Sequence, residues 1–327
     1  MKKNVSILAE ELLLQLRKKG EFFSAEKLAQ DLNVNPKEFK SAKKELEKWG
    51  YKIESDGKKG YKLAKIPDLL LPVEIKYDLK SKILGQEIHS YKNLKSTNDL
   101  AFDLAETEAP EGTLVVAEKQ SKGKGRLGRS WFSPPKLGIW MSLILRPSIL
   151  PSQAPGLSIA ASLALVLTTK ELTGLPAFIK WPNDVIANNR KFCGILTELS
   201  AELDKINFVI LGVGVNINQT ERDFPKNLRN IATSLRIEAG DQVSRLDFLK
   251  RFLEKFEKIY LQYKKTGLLT FKEECLRHSY LLGKKIKIQS GSEILEGKAE
   301  NLDDNGALIL RTKEGLRTIT AGDVSLV

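Results

Sequence analysis

The stretch SKGKGRLGRSWFSPP, residues 121–135, narrows the possible folds more than any other part of the chain. Gly123, Gly125 and Gly128 reproduce the G-x-G-x-x-G spacing of a dinucleotide-binding turn, with Lys122, Lys124, Arg126 and Arg129 set among them. That fingerprint works only when a strand precedes it and a helix follows, so that the helix N-terminus faces a pyrophosphate. A strand is in place, because Thr113 to Ala117 is a short β-rich apolar run. The helix is not. Pro134-Pro135 comes six residues after the last glycine, and Gly138 to Leu145 reads as a second strand. No acidic ribose partner follows at the required distance. What remains is a strand, a basic loop and a strand. Such a loop can offer backbone N–H groups and guanidinium forks to an anion, although most charge runs are only solvated faces.

A chain of 327 residues suggests about two or three domains. The net charge of +12 makes an anionic partner worth seeking. Two cysteines, Cys193 and Cys275, offer neither a disulfide framework nor metal-ligand spacing, and His89 and His278 lie far apart, so a zinc enzyme is not expected. Met1-Lys2-Lys3 leads into an amphipathic segment containing Glu10 and Glu11 rather than a signal peptide, and no apolar run of about 18 residues is evident. A cytoplasmic protein with no membrane segment is expected.

Residues 1–66 read as three helices and a hairpin. Ile7, Leu8, Leu12 and Leu16 mark the first helix, with Lys18-Lys19-Gly20 as its stop, and Ser24 caps the second. Asn35, Pro36 and Glu38 give a capping box with proline at the first helical position. The third helix then runs to Gly50 with Phe39, Ala42, Leu46 and Trp49 on its apolar side. Tyr51 to Leu63 forms a hairpin with a basic tip. This is the pattern of a winged helix-turn-helix. The segment holds 16 Lys/Arg against 10 Asp/Glu, which puts half of the net charge on about a fifth of the chain. The helix-turn-helix at Ala25 to Lys44, with Lys37, Lys40 and Lys44, and the wing residues Lys58 and Lys59 are the candidate DNA contacts. Lysine serves phosphates better than base edges.

Residues 67–82 read as a linker, with room for a short helix. Residues 83–281 alternate helices and strands as a mixed sheet with packed helices, an α+β arrangement. Ser96 caps a helix beginning with a Ser-Thr-Asn cluster, Pro155 to Thr173 is apolar on nearly every face, and Ile206 to Val215 is a strong strand ending in Gly212-x-Gly214-x-Asn216-x-Asn218. Residues 282–327 hold about five short strands with tight turns, for which an SH3-like β-barrel is expected.

Five segments occur in order: Ser96-Thr97-Asn98; Gln120 with Gly123 to Trp131; Lys180-Trp181-Pro182-Asn183-Asp184; Arg190 to Leu196; and Gly212 to Asn216. Together with the winged helix they resemble the biotin–protein ligase family in its bifunctional form, which also represses the biotin operon. The resemblance implies an enzyme that uses MgATP to make biotinyl-5′-AMP and passes biotin to a lysine of the biotin carboxyl carrier protein of acetyl-CoA carboxylase. It also implies operator DNA as a partner and a homodimer when biotinyl-AMP is bound. By resemblance, Ser96, Thr97, Asn98, Gln120, Lys124, Gly125, Arg126, Lys191 and Gly194 contact biotin. Gly123, Arg126, Arg129, Trp131, Lys180, Asn183 and Asn216 serve ATP or the adenylate. Arg126, Lys191 and Asp184 carry the chemistry, with Mg2+ arriving on ATP near Asp184 and no metal site built of protein alone. Joining a carboxylate to an α-phosphate brings two anions together, and the cations of these motifs can offset that repulsion without a nucleophilic side chain. Three alternatives stay open at this point: a ligase without repression, a lipoate–protein ligase, and a biotin-sensing DNA-binding regulator without catalysis.

Overall fold

A computed structural model of the chain describes residues 6–17, 21–291 and 293–327. The opening Met1-Lys2-Lys3 and the Lys18-Lys19-Gly20 stop lie outside these residues. Helices α1 (Ile7–Arg17), α2 (Ala25–Asp31) and α3 (Pro36–Lys48) precede a hairpin of β1 (Lys52–Asp56) and β2 (Gly60–Lys65). The local signals act as expected. The Asn35 side chain accepts from the Lys37 and Glu38 amides at 3.0 Å each, and Glu38 accepts the Asn35 amide at 2.9 Å. Phe39, Ala42 and Leu46 turn inward onto Leu12, Leu13, Leu16 and Leu28, and the Phe39 ring meets Tyr61 of the wing at 5.1 Å. Lys37, Lys40 and Lys44 are exposed and, at spacings of three and four, share one face of α3. Lys58 and Lys59 are exposed at the wing turn, where Asp56 accepts both of their amides.

The connecting segment is more than a tether. It contains α4 (Pro72–Lys76), and its apolar residues divide between two cores. Leu71 and Val73 enter the core of the winged helix, while Leu70 and Ile75 enter the core of the central unit. Glu74 is fully buried and receives both Arg17 and the Tyr51 hydroxyl of the winged helix.

The central unit is a seven-stranded mixed sheet. Its strands are β3 (Ile88–Tyr91), β4 (Leu114–Ala117), β5 (Gly138–Leu145), β6 (Phe178–Lys180), β7 (Asp184–Ala187), β8 (Arg190–Ala201) and β9 (Ile206–Asn216), in the spatial order β3-β4-β5-β9-β8-β7-β6. Only β3 and β4 run parallel. Helix α5 (Thr97–Glu106) lies on one face, where Phe102 meets Phe208 edge-on at 5.0 Å. Helices α6 (Pro155–Thr173) and α8 (Arg245–Thr266) pack against each other over the larger core, with the short helices α7 (Leu235–Ala239) and α9 (Lys272–Arg277) nearby. By length and composition the stretch Pro151–Thr173 could cross a membrane, but 78% of its apolar window is buried inside the fold. It is the central core helix, which explains why it is apolar all round.

The expectation of a C-terminal SH3-like barrel is overturned. Strands β10 (Lys285–Ser290), β11 (Glu293–Leu302), β12 (Leu308–Thr312), β13 (Gly315–Ile319) and β14 (Asp323–Leu326) form an open antiparallel sheet in the order β13-β12-β11-β10-β14. Among the described residues β13 pairs only with β12 and β14 only with β10, so both remain edges. The physical reason is coverage. Ile286, Ile288, Ala299, Leu302, Leu308 and Leu310 belong to the same continuous core as the central unit, and the Trp181 indole donates to the Gly306 carbonyl at 2.9 Å. A sheet whose inner face rests on a neighbour need not close on itself to bury that face.

Candidate active site

The pocket opens on the α5 face of the central sheet, and its floor is made by what the strands omit. Gly212 and Gly214 on β9 and Gly194 on β8 face outward beneath it. A Cβ on Gly212 would lie 2.1 Å from the Asn98 amide oxygen, and one on Gly214 would lie 2.3 Å from the Trp131 indole nitrogen. These glycines let Asn98 and Trp131 sit directly on the sheet. The resulting cavity is about 410 Å³, within the size range of small-ligand sites.

One end is a compact polar cluster. Ser96 caps α5, accepting the Asp99 amide at 3.5 Å, and thereby presents Thr97 and Asn98 to the pocket. The Thr97 amide and hydroxyl both donate to the Gln120 side-chain oxygen, at 2.8 and 3.1 Å. Ser142 Oγ lies 2.8 Å from Thr97 Oγ1 and 2.6 Å from Asn98 Oδ1, and the Asn98 amide donates to Glu198 at 2.7 Å. All of Ser96, Thr97 and Asn98 are buried. This end is suited to a neutral ligand group rich in N–H and C=O, held by fixed donors and acceptors.

The other end is cationic. A register shift in the β7–β8 pairing sets Val185 opposite Cys193 but Ile186 opposite Lys191, leaving Phe192 as the extra residue. Side chains alternate along a regular strand, so Lys191 and Cys193 would otherwise share a face. The bulge brings Lys191 to the pocket beside Gly194 and leaves Cys193 fully buried. The Lys191 ammonium sits 2.6 Å from the Asp184 carboxylate and 5.1 Å from the centre of the Trp131 ring. Lys180 ends β6, beside Trp181 and the cis Trp181–Pro182 bond.

The basic loop reaches over this end, and each of its pocket cations has a partner. Lys124 pairs with Asp99, Arg126 donates to the Asn183 side-chain oxygen at 2.9 Å, and Arg129 pairs with Asp323 of β14. Asp99 holds the Lys124 ammonium above its ordinary pKa, and the Arg129 guanidinium holds the Asp323 carboxyl below the usual carboxylate range. Leu127 stands at the tip, 73% exposed and in the left-handed region at φ 54°.

Of the residues expected at the site, Ser96, Thr97, Asn98, Gln120, Lys124, Gly125, Arg126, Arg129, Trp131, Lys180, Asn183, Asp184, Lys191, Gly194 and Asn216 all line this one cavity. Gly123 does not. It is buried at the loop base, where its carbonyl accepts the Trp131 amide at 2.8 Å and a Cβ would meet the Trp131 carbonyl at 2.5 Å. Asn216 lines the wall, but its amide is spent on Thr233 and Gln219, at 3.0 and 2.9 Å. Cys193 takes no part, since burial pushes its thiol far up. Two further groups complete the lining. Phe224, Leu228, Ile231 and Ala232 close one side, held there because Lys191 exchanges backbone hydrogen bonds of 2.9 Å with Ile231 and Thr233. Gly322, Asp323 and Val324 close another side from the C-terminal sheet. The family resemblance marks the stretch from Phe224 to Asn230 as one expected to order over the adenine; Asp323 carries no such signal, and sequence reasoning missed it.

Fold and cavity together define a ligase of the biotin/lipoate class, and comparison with known proteins agrees. A model described as the Biotin/lipoate A/B protein ligase family matches residues 90–216, a Biotin protein ligase C terminal domain matches 281–327, and an HTH domain matches 9–62. A biotin protein ligase from Aquifex aeolicus, solved with biotin and ATP, superposes with a TM-score of 0.64 at 30% identity, covering 74% of this chain and 99% of that one. The bifunctional ligase/repressor BirA of Bacillus subtilis is 40% identical over 324 residues, covering 98% of this chain and 99% of its own. Its Escherichia coli namesake is 26% identical over 96% of each chain. The chain belongs to the biotin protein ligase family, and it aligns over 98% of its length with a member named as a bifunctional ligase/repressor.

Proposed function

We propose that the chain is a bifunctional ligase and repressor. It forms biotinyl-5′-AMP from biotin and ATP, transfers the biotinyl group to a lysine of a biotin carboxyl carrier protein, and acts on operator DNA through its N-terminal unit. The observation that carries this reading is the two-ended cavity, in which a neutral hydrogen-bonding cluster and a set of five cations face one another across glycines. The polar end suits the ureido ring of biotin, and the cationic end suits a carboxylate meeting a triphosphate.

In the first step a biotin carboxylate oxygen attacks the α-phosphorus. A new P–O bond forms, the bond to the β-phosphate breaks, and pyrophosphate leaves. Arg126, Lys180 and Lys191 offset the repulsion between the anions and the charge growing on the phosphoryl oxygens. Lys191 must exchange Asp184 for the ligand, which frees the carboxylate. In the second step the lysine amine attacks the acyl carbon, AMP leaves, and freed Asp184 accepts the amine proton. Lys124, Gly125, Arg126 and Arg129 close the loop over the intermediate and exclude water. Mg2+ comes with ATP. Among the described residues no cluster of three His, Cys, Asp or Glu side chains could hold a metal, and the cavity wall carries two carboxylates, Asp184 and Asp323. That donor set fits an ion carried mainly by phosphate oxygens, with Asp184 beside it. The ion would neutralise phosphate charge.

On this reading residues 1–66 bind DNA, 67–82 join, 83–281 hold the chemistry and 282–327 close the pocket through Asp323. The loaded chain pairs with a second copy, as a two-fold operator requires of a helix-turn-helix protein. Carrier protein and operator DNA are both cytoplasmic, and so is the enzyme. Native mass spectrometry with MgATP and a mixture of biotin, lipoate and octanoate tests the reading. A bound mass matching biotinyl-AMP, with a shift to dimer, is the expected result. A lipoyl or octanoyl adduct would reassign the substrate, and biotin bound without an adduct would sink the catalytic claim.

A further inference from the structure

Arg245 is the residue that the ligase chemistry leaves unexplained. It opens α8, where the helix dipole disfavours a cation, yet its side chain is fully buried. Its guanidinium binds three separated segments. It donates to Asp68 twice, at 2.9 Å to the carboxylate and 2.6 Å to the carbonyl, to Glu118 at 2.7 Å and to the Gly138 carbonyl at 3.1 Å. Glu118 and Gly138 are the two roots of the basic loop. The other Glu118 oxygen accepts the Leu70 amide at 3.0 Å, and Ser90 donates to the Leu70 carbonyl at 2.8 Å.

The segment held this way is the one that divides between two cores. Four residues after Leu70, buried Glu74 takes Arg17 and Tyr51 of the winged helix. At the other end Gln120, two residues beyond Glu118, accepts both Thr97 donors in the pocket. A relay of polar contacts thus runs from pocket to winged helix, joined by the chain itself between Gln120 and Glu118 and between Leu70 and Glu74; its middle is a single planar fork that cannot serve all its partners in two arrangements at once.

We propose that Arg245 is a positioning residue that couples closure of the basic loop over its ligands to the setting of the winged helix. The proposal rests on the ligase reading. A shift of Glu118 as Gln120 engages ligand moves the shared guanidinium, and with it Asp68 and the Leu70 amide.

Hydrogen exchange on the full chain, with and without biotin and MgATP, tests this in wild type, Asp68→Ala and Arg245→Met. In wild type, ligands should slow exchange both in residues 119–137 and in residues 68–76. In Asp68→Ala, whose side chain is half-exposed, the loop should still be protected and biotin turnover unchanged, while the ligand-dependent slowing at 68–76 is lost. Arg245→Met should lose it too; should that variant fail to fold, Asp68→Ala carries the test. Wild-type loop protection with an unmoved linker, or linker protection that survives in Asp68→Ala, would overturn the coupling alone. No loop protection in wild type would strike down the ligase reading and the coupling with it.

Discussion

Replacing Gly214 by alanine should act on the lid rather than on the chemistry. The added methyl would lie 2.3, 2.6 and 2.9 Å from Trp131 Nε1, Cε2 and Cδ1. The indole has little room to yield. It also lies over Gly194, where a Cβ would meet Cζ3 at 2.9 Å, its ring faces the Lys191 ammonium, and its amide is bonded to the Gly123 carbonyl. The remaining escape is outward, which lifts the loop that Trp131 anchors. Overpacking of this kind costs about 1–3 kcal/mol. If that strain is relieved by loop displacement, it appears as weaker ligand binding, by roughly 5- to 150-fold. Titration calorimetry of biotin in the presence of a non-hydrolysable ATP analogue reads this directly, and thermal melting should show a smaller effect on the fold. A double variant isolates the cause. With Trp131→Ala the methyl no longer meets an indole, so Gly214→Ala/Trp131→Ala should bind no worse than Trp131→Ala alone. Additive losses, or Gly214→Ala binding within about two-fold of wild type, would refute the reasoning.

Three further outcomes are expected. Alanine at Lys37, Lys40, Lys44, Lys58 or Lys59 should lower the log–log salt slope of duplex DNA binding by about 0.9 for each phosphate left without its lysine, read by fluorescence anisotropy; an unchanged slope would remove that lysine from the phosphate path. Asn35→Ala breaks the capping box and should destabilise the winged helix by about 0.5–2 kcal/mol in urea unfolding, with adenylate formation unaltered. Burial pushes both thiols up, Cys275 to about 12, so iodoacetamide near neutral pH should label neither cysteine until the chain is denatured; fast labelling of native Cys193 would contradict its exclusion from the chemistry.

The local signals were legible because they act over a few residues. The Asn35 capping box, the 3-4-3 spacing from Phe39 to Trp49 and the double proline after the basic loop each determine a nearby backbone conformation, whatever surrounds it. The order of the five motifs marked the family and most of the pocket wall. Tertiary structure alone decided three things. Lys191 and Cys193 part to opposite faces only because of a bulge at Phe192, a register choice made by the β7 partner. Asp323 reaches Arg129 across 194 positions of chain, a separation no local pattern encodes. The C-terminal strands alternate as a barrel's would, and the same alternation serves an open sheet. Which of the two forms depends on what covers the inner face, and here the central core covers it. Burial is settled between segments, so a strand pattern read by itself cannot say what lies against it.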